Sequence, residues 1–178
     1  YYVDNAGDIV IENAAEGLDA VVAYVASYTL PTNVENLRFD GFGNFTGIGN
    51  GGDNVISSRD GNDTLYGGFG VDTLISQDGG DVLDGGIGAD FMFGGNGADI
   101  YYVDNGSPDV DTVFFTNVAG ATLSSNVEYG YSLGTTASLT GNTSDNVLIG
   151  GYATVAQTLT GNDGNDFLSG TAVADFLY

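Results

Sequence analysis

Residues 58–102 read SRDGNDTLY (58–66), GGFGVDTLI (67–75), SQDGGDVLD (76–84), GGIGADFMF (85–93) and GGNGADIYY (94–102). Every unit has nine residues, with glycine fourth, aspartate sixth and an apolar or aromatic residue eighth. Nine residues suit three of strand and six of turn. A three-residue strand points one side chain inward, because successive side chains alternate faces. The inward set is then Leu65, Leu74, Leu83, Met92 and Tyr101, while Tyr66 and Tyr102, like Tyr2, point outward. Two units make one coil, and coils stack into an all-β parallel β-roll, a β-solenoid.

Burial alone does not hold such a coil together. One apolar side chain for every nine residues stabilises by about 1.5–3 kcal/mol, while ordering a single backbone residue costs about 1–2 kcal/mol. Stacked carboxylates add a penalty: two of them about 5 Å apart repel by roughly 3 kcal/mol at an effective dielectric of 20. A divalent cation between the corners removes this repulsion. Calcium fits, since it takes six to eight oxygens in flexible geometry and glycine turns turn their carbonyls toward the carboxylates, whereas magnesium demands a tighter octahedron. Units alternate sides, so carboxylates sharing an ion lie eighteen residues apart: Asp63 with Asp81, Asp81 with Asp99, and Asp72 with Asp90. Asp53, one residue further from Asp72, joins that row. The turn glycines expected to contribute are Gly61, Gly68, Gly70, Gly79, Gly86, Gly88, Gly95 and Gly97.

A longer repeat contains the short one. Tyr1-Tyr2-Val3-Asp4-Asn5 recurs at Tyr101-Tyr102-Val103-Asp104-Asn105, and Asn33-Val34-Glu35 recurs at Asn126-Val127-Glu128, with about eight residues lost near Ser107 and Pro108. This divides the chain at 100/101. The first copy has non-metal solenoid turns over 1–48 and a calcium-binding β-roll over 49–100; the second has non-metal turns over 101–140 and a degenerate β-roll over 141–178. In the first copy Ile9–Ile11, Val21–Val25 and Leu37–Phe39 have strand composition between Gly, Asn and Pro punctuation. Asp104 is expected to close the last site of the array before it, as Asp4 would at the start of the chain. In the second copy Asp145 pairs with Asp166. Asp175 keeps the register, but Gln157 stands where its partner would be. The recurrence at residue 1 suggests a piece of a longer array.

Composition narrows the function. The 178 residues carry 24 acidic side chains against Arg38 and Arg59, a net charge of −22, with no cysteine or histidine. Polyanions such as nucleic acid and acidic membrane surfaces are repelled. Thiol chemistry and imidazole bases are excluded. The apolar fraction of 42% is too high for a solvated tail. No apolar run is long enough to span a bilayer as a helix. Gly47, Gly49 and Gly52 match a dinucleotide fingerprint, but the repeats already account for them and no helix follows. Asp60 with Asp63 and Asp78 with Asp81 imitate a glycosidase pair, but Asp60 and Asp78 fall at a variable turn position. The chain therefore reads as a non-enzyme.

The nonapeptides, the two Tyr-Tyr-Val-Asp-Asn strings and Asn33-Val34-Glu35-Asn36-Leu37 together resemble the repeats-in-toxin (RTX) calcium-binding arrays of bacterial exoproteins. The resemblance implies several Ca²⁺ ions, export through a type I channel, folding on extracellular calcium, and an extracellular or cell-surface location. Two roles are compatible with it. One is a structural module of an adhesin, surface layer or extracellular fibre that associates with itself or with neighbouring repeats. The other is an accessory or polysaccharide-binding module of a secreted lipase, protease or epimerase. The departures from the pattern are Ser58-Arg59, Ser76-Gln77, the tenth residue between Asp53 and Asp63, and Gln157.

Overall fold

A computed structural model describes residues 1–14, 16–103, 109–117, 120–151 and 155–178. Its strands are short, as the glycine and asparagine punctuation requires, and every strand pair among the described residues is parallel. One face of the coil is an eleven-stranded sheet. Its path runs through Tyr2–Val3, Ala20–Ala23, Asn36–Phe39, Val55–Ser57, Thr73–Ile75, Phe91–Gly97, Thr112–Thr116, Tyr129–Leu133, Val147–Gly150 and Phe167–Ser169, with Asp78–Gly79 pairing beside Phe91–Gly97. The opposite face carries Ser27–Thr29, Thr46–Ile48, Thr64–Phe69, Val82–Ile87 and Ile100–Tyr102, and further along Ala121–Thr122, Ser138–Thr140, Thr158–Thr160 and Phe176–Leu177. The molecule is a parallel β-solenoid. None of the described residues forms a helix long and apolar enough to cross a membrane.

The inward positions stack into columns. Leu37, Ile56, Leu74, Met92 and Val113 follow one another on the first face, and Leu65, Leu83 and Tyr101 on the second. All eight are buried, and the five inward nonapeptide residues are among them. Tyr2, Tyr66 and Tyr102 are exposed on the outside. Where the column lacks a side chain, at Gly47, the Phe45 ring fills the space: a Cβ on Gly47 would lie 2.8 Å from it. Phe45 in turn stacks on Phe39 with ring centroids 4.4 Å apart.

The structure departs from the sequence reading in two places. Ile9–Ile11 forms no strand; Ile9 and Ile11 are exposed and only Val10 packs against the core. The apolar run lies in a long connection between the rungs of Tyr2–Val3 and Ala20–Ala23. The second difference concerns strand length. Thr64–Phe69 and Val82–Ile87 have six residues each, with Gly68 paired to Gly86 and Phe69 to Ile87. Rung-to-rung pairing thus runs into the glycine turns, which is possible because no Cβ separates the backbones there.

Candidate metal centre

At each corner of the stretch 49–99 the chain leaves one face at a glycine or serine and enters the other just after an acidic residue or amide five positions later. Two rows of corners result. In one, the turns 58–63, 76–81 and 94–99 stack; in the other, 49–54, 67–72 and 85–90. Within each row the carboxylates form a ladder. Asp63 Oδ1 accepts from Phe45 N at 2.8 Å, Asp81 Oδ1 from Asp63 N at 2.8 Å, and Asp99 Oδ1 from Asp81 N at 3.0 Å. In the second row Asp72 Oδ1 accepts from Asn54 N at 2.8 Å and Asp90 Oδ1 from Asp72 N at 2.8 Å. Each aspartate thus takes one N–H of the preceding rung with one oxygen, which fixes its side chain, and turns the other oxygen into the corner.

That second oxygen sits in an all-oxygen cradle. Asp63 and Asp72 Oδ2 are buried with no hydrogen-bond partner, a costly condition for a carboxylate unless a cation meets it. A Cβ built on Gly67 would lie 2.3 Å from Asp72 Oδ2 and 2.4 Å from the Gly85 carbonyl oxygen, and one on Gly85 would lie 2.3 Å from Asp90 Oδ2. Carboxylate and carbonyl oxygens therefore converge where these glycines leave room. No group of three or more acidic side chains gathers among the described residues. Any ion here is shared between carboxylates and backbone carbonyls, the hard-oxygen set that suits calcium.

The electrostatics agree. Burial pushes the Asp72 carboxyl up to about 6, opposed by the Asn54 N–H and reinforced by the charge of Asp53. Asp99 also rises to about 6, chiefly through burial, with the Asp81 N–H opposing and the Asp81 charge adding. Asp81 rises through burial as well, against the N–H of Asp63 and the Ser76 hydroxyl, with the Asp63 charge adding. Raised values mean that the metal-free fold holds protons more tightly than the unfolded chain does. The associated stabilisation is fully present below about pH 4 and is lost as pH rises through about 6. In excess EDTA, lowering the pH from about 7 to about 5 should therefore increase the far-ultraviolet β signal. With calcium present, the same change should raise the calcium needed for folding, because protons compete for the same oxygens. A β signal in EDTA that falls on acidification would contradict the assignment.

The register differs from expectation at two places. Asn54, not Asp53, occupies the buried position above Asp72; Asp53 is exposed one residue outside and accepts from Val71 N at 2.8 Å. Likewise Asn146, not Asp145, stands above Asp166, with Asn146 N donating to Asp166 Oδ1 at 2.9 Å, while Asp145 is exposed and accepts from Asn165 N at 2.7 Å. Asn54 lies nine residues before Asp63 and eighteen before Asp72, so the period runs through the amide, and the 141–146 corner has the same six-residue length as 161–166. Gln157 stands above Asp175 as expected, its N donating to Asp175 Oδ1 at 2.8 Å and its side chain to the Thr136 carbonyl at 2.8 Å. Asp104 lies outside the described residues.

The ladder also reaches residues that sequence reading missed. Asp90 N donates to Asp111 Oδ1 at 2.9 Å and Asp111 N to Glu128 Oε2 at 2.9 Å. Gly67, Gly85 and Gly94, the first glycines of their units, line the cradles. Of the turn glycines expected from sequence, Gly61, Gly68, Gly70, Gly86, Gly88, Gly95 and Gly97 have positive φ. Gly79 does not, but a Cβ on it would lie 1.9 Å from the Gly61 carbonyl oxygen.

Residues 46–74, 75–108 and 158–178 match the family model of the RTX calcium-binding nonapeptide repeat, a model of four copies. Over these residues the chain carries RTX calcium-binding nonapeptide repeats. RTX nonapeptides bind Ca²⁺ in their turns, several ions to an array, and the oxygen cradles lie in those turns. The RTX matches leave out residues 1–45 and 109–157, yet strands from both stretches continue the same sheet. No curated protein and no solved structure matches the chain.

Proposed function

We propose that this calcium-binding β-roll is a structural module of a secreted bacterial protein, rigidified outside the cell by two rows of ions. The observation that carries the reading is the carboxylate ladder, in which one oxygen ties down the rung before and the other is buried in an oxygen cradle. The residues we assign to the ions are Asp63, Asp81 and Asp99 in one row and Asp72 and Asp90 in the other, with glycine carbonyls of neighbouring rungs. Asp53, Asp145, Asp166 and Asp175 stand at poorer sites, each with an amide or an irregular turn opposite. Coils 1–48 and 101–140 serve as calcium-free spacers on the same axis. Bound calcium supplies positive charge between stacked carboxylates; the chain's own part is to hold those carboxylates in register.

Because rungs stack by the same contact throughout, a further repeat or a second copy can extend the axis. An adhesin, a surface layer or a fibre fits this geometry, and type I export with folding on extracellular calcium fits the acidity and the lack of cysteine. A structural role also agrees with the glycosidase-like pairs: Asp60 and Asp78 are exposed, and Asp78 accepts from Asn96 Nδ2 at 2.8 Å.

Asp81 stands between Asp63 and Asp99, so Asp81→Asn should remove about two bound ions while Asp60→Asn removes none. Equilibrium dialysis with radioactive calcium reads the count, and equal stoichiometry for both variants would refute the assignment. Electron microscopy before and after chelation tests assembly; filaments or sheets that survive EDTA would count against a calcium-built fibre.

A second reading, a polysaccharide-binding accessory module, draws on one observation. Tyr66 and Tyr102 flank Asp84 on the outer face of the second sheet. Two rings around a carboxylate suit stacking on a neutral sugar and hydrogen bonding to its hydroxyls. Retardation in affinity gels containing a neutral glycan, but not in gels containing an acidic one, would favour it.

A further inference from the structure

Two corners of one row carry a side chain where the other corners have none. Counting back five residues from each ladder aspartate gives Gly67 for Asp72, Gly85 for Asp90 and Gly94 for Asp99, but Ser58 for Asp63 and Ser76 for Asp81. The backbone is equivalent at these positions: Ser58 N donates to the Ile75 carbonyl at 2.9 Å and Ser76 N to the Phe93 carbonyl at 2.8 Å, as Gly49 N does to Tyr66. A Cβ at Gly67 would point straight at Asp72 Oδ2 and the Gly85 carbonyl. In the serines' own row the eighteen-residue equivalent is Gly94, where a Cβ would lie 2.5 Å from Asp99 Oδ2, so the serine side chains start at the ladder carboxylates of their corners.

Ser58 is 3% exposed, and its Oγ has no hydrogen-bond partner. In the same turn Asp63 is 1% exposed, with Oδ2 equally without one. A buried hydroxyl and a buried carboxylate oxygen, both unmatched and both belonging to one corner, offer two oxygens to a common cation. Ser76 has a related arrangement. Its Oγ is in hydrogen-bond reach of both the Asp81 carboxylate and the Gly94 carbonyl, the latter at 2.9 Å; its one proton goes to one of these acceptors and its lone pairs remain for a cation.

We propose that the Ser58 hydroxyl is a side-chain ligand for the calcium ion of the 58–63 corner, and that Ser76 does the same one rung on. This rests on the calcium reading above and adds a ligand to it. A neutral hydroxyl oxygen takes the place of one water on a cation that accepts six to eight oxygens. The row with serines therefore binds its ions with fewer waters than the all-glycine row.

Ser58→Ala and Ser58→Gly separate the two meanings of the hydroxyl, because their effects have opposite signs under each. If the hydroxyl ligates calcium, both variants should weaken one ion in the calorimetric titration by about fivefold, the loss of one hydrogen-bond-sized contact. Europium loaded in place of calcium should then gain about one coordinated water per chain, read from luminescence lifetimes in H₂O and D₂O. If the hydroxyl is only an unmatched buried group, replacing it by a methyl or by nothing should leave binding equal or tighter, with hydration unchanged, and the proposal falls. Asp72→Asn in the other row serves as control. If it weakens binding while Ser58→Ala does not, the serine proposal alone fails; if neither variant nor chelation changes anything, the calcium reading fails with it.

Discussion

Excess EDTA should abolish most of the β signal and the cooperative thermal transition of this chain, and millimolar calcium should restore both. The expectation follows from the balance within one coil. Each nonapeptide buries one large side chain, such as Leu65, Leu74 or Leu83, and orders nine backbones, several of them glycines with the most freedom to lose. The net charge of −22 works against compaction. At the corners Asp63 and Asp81 follow one another one rung apart, each buried, each with an oxygen directed into the turn. At free calcium ten times the dissociation constant an ion adds about 1.4 kcal/mol by mass action. The three shared sites, Asp63 with Asp81, Asp81 with Asp99 and Asp72 with Asp90, together then add about 4 kcal/mol, close to the lower end of a small domain's whole stability. Circular dichroism during a calcium titration measures the effect. A chain that keeps its spectrum and its melting transition in EDTA would remove the basis of the calcium array.

Gly88→Ala and Gly97→Ala should each destabilise the calcium-loaded protein by more than about 4 kcal/mol, well beyond the usual range for a single methyl. A Cβ on Gly88 would lie 1.6 Å from the Gly70 carbonyl oxygen, and one on Gly97 1.5 Å from that of Gly79. Both glycines also have positive φ, 137° and 148°, where any side chain is strained. The obstacle is backbone of the preceding rung, which cannot move aside without breaking the parallel pairing of Gly86 with Gly68 or Gly97 with Gly79. Gly51→Ala is the matched control. Nothing lies within 4 Å of a Cβ at Gly51, and the change should stay within about 0.5 kcal/mol. Calcium-saturated denaturant melts compare the three. Equal midpoints would mean that the rungs are not packed backbone to backbone.

Much of the site was legible because a nine-residue period leaves one inward position per strand. Leu65, Leu74, Leu83, Met92 and Tyr101 follow from counting alone, as do the stacked pairs Asp63 with Asp81, Asp81 with Asp99 and Asp72 with Asp90. Aspartate by itself is a misleading register mark. At Asp53-Asn54 and Asp145-Asn146 the acidic residue draws attention, yet the amide is buried. The first glycine is the better ruler. Five residues on from Gly49 and Gly141 come Asn54 and Asn146, as five on from Gly67 and Gly161 come Asp72 and Asp166. That position is constrained because its Cα faces the ladder side chain: a Cβ on Gly49 would lie 2.5 Å from Asn54 Oδ1, and one on Gly141 2.5 Å from Asn146 Oδ1.

The amino-acid sequence by itself determines that this chain coils, which side chains face inward, and that acidic corners line up every second unit, since all three depend only on a local period. Only the tertiary structure decided where the irregular rungs take up their extra residues. Phe91 pairs with Thr112 across twenty-one residues, and Thr112 with Tyr129 across seventeen. A loop can absorb a surplus anywhere along its length, so spacing alone does not say which residue returns to the ladder. The interior does: the next inward side chain must meet the column of Met92 and Val113, and that requirement brings Asp111 and Glu128 into line beneath Asp90.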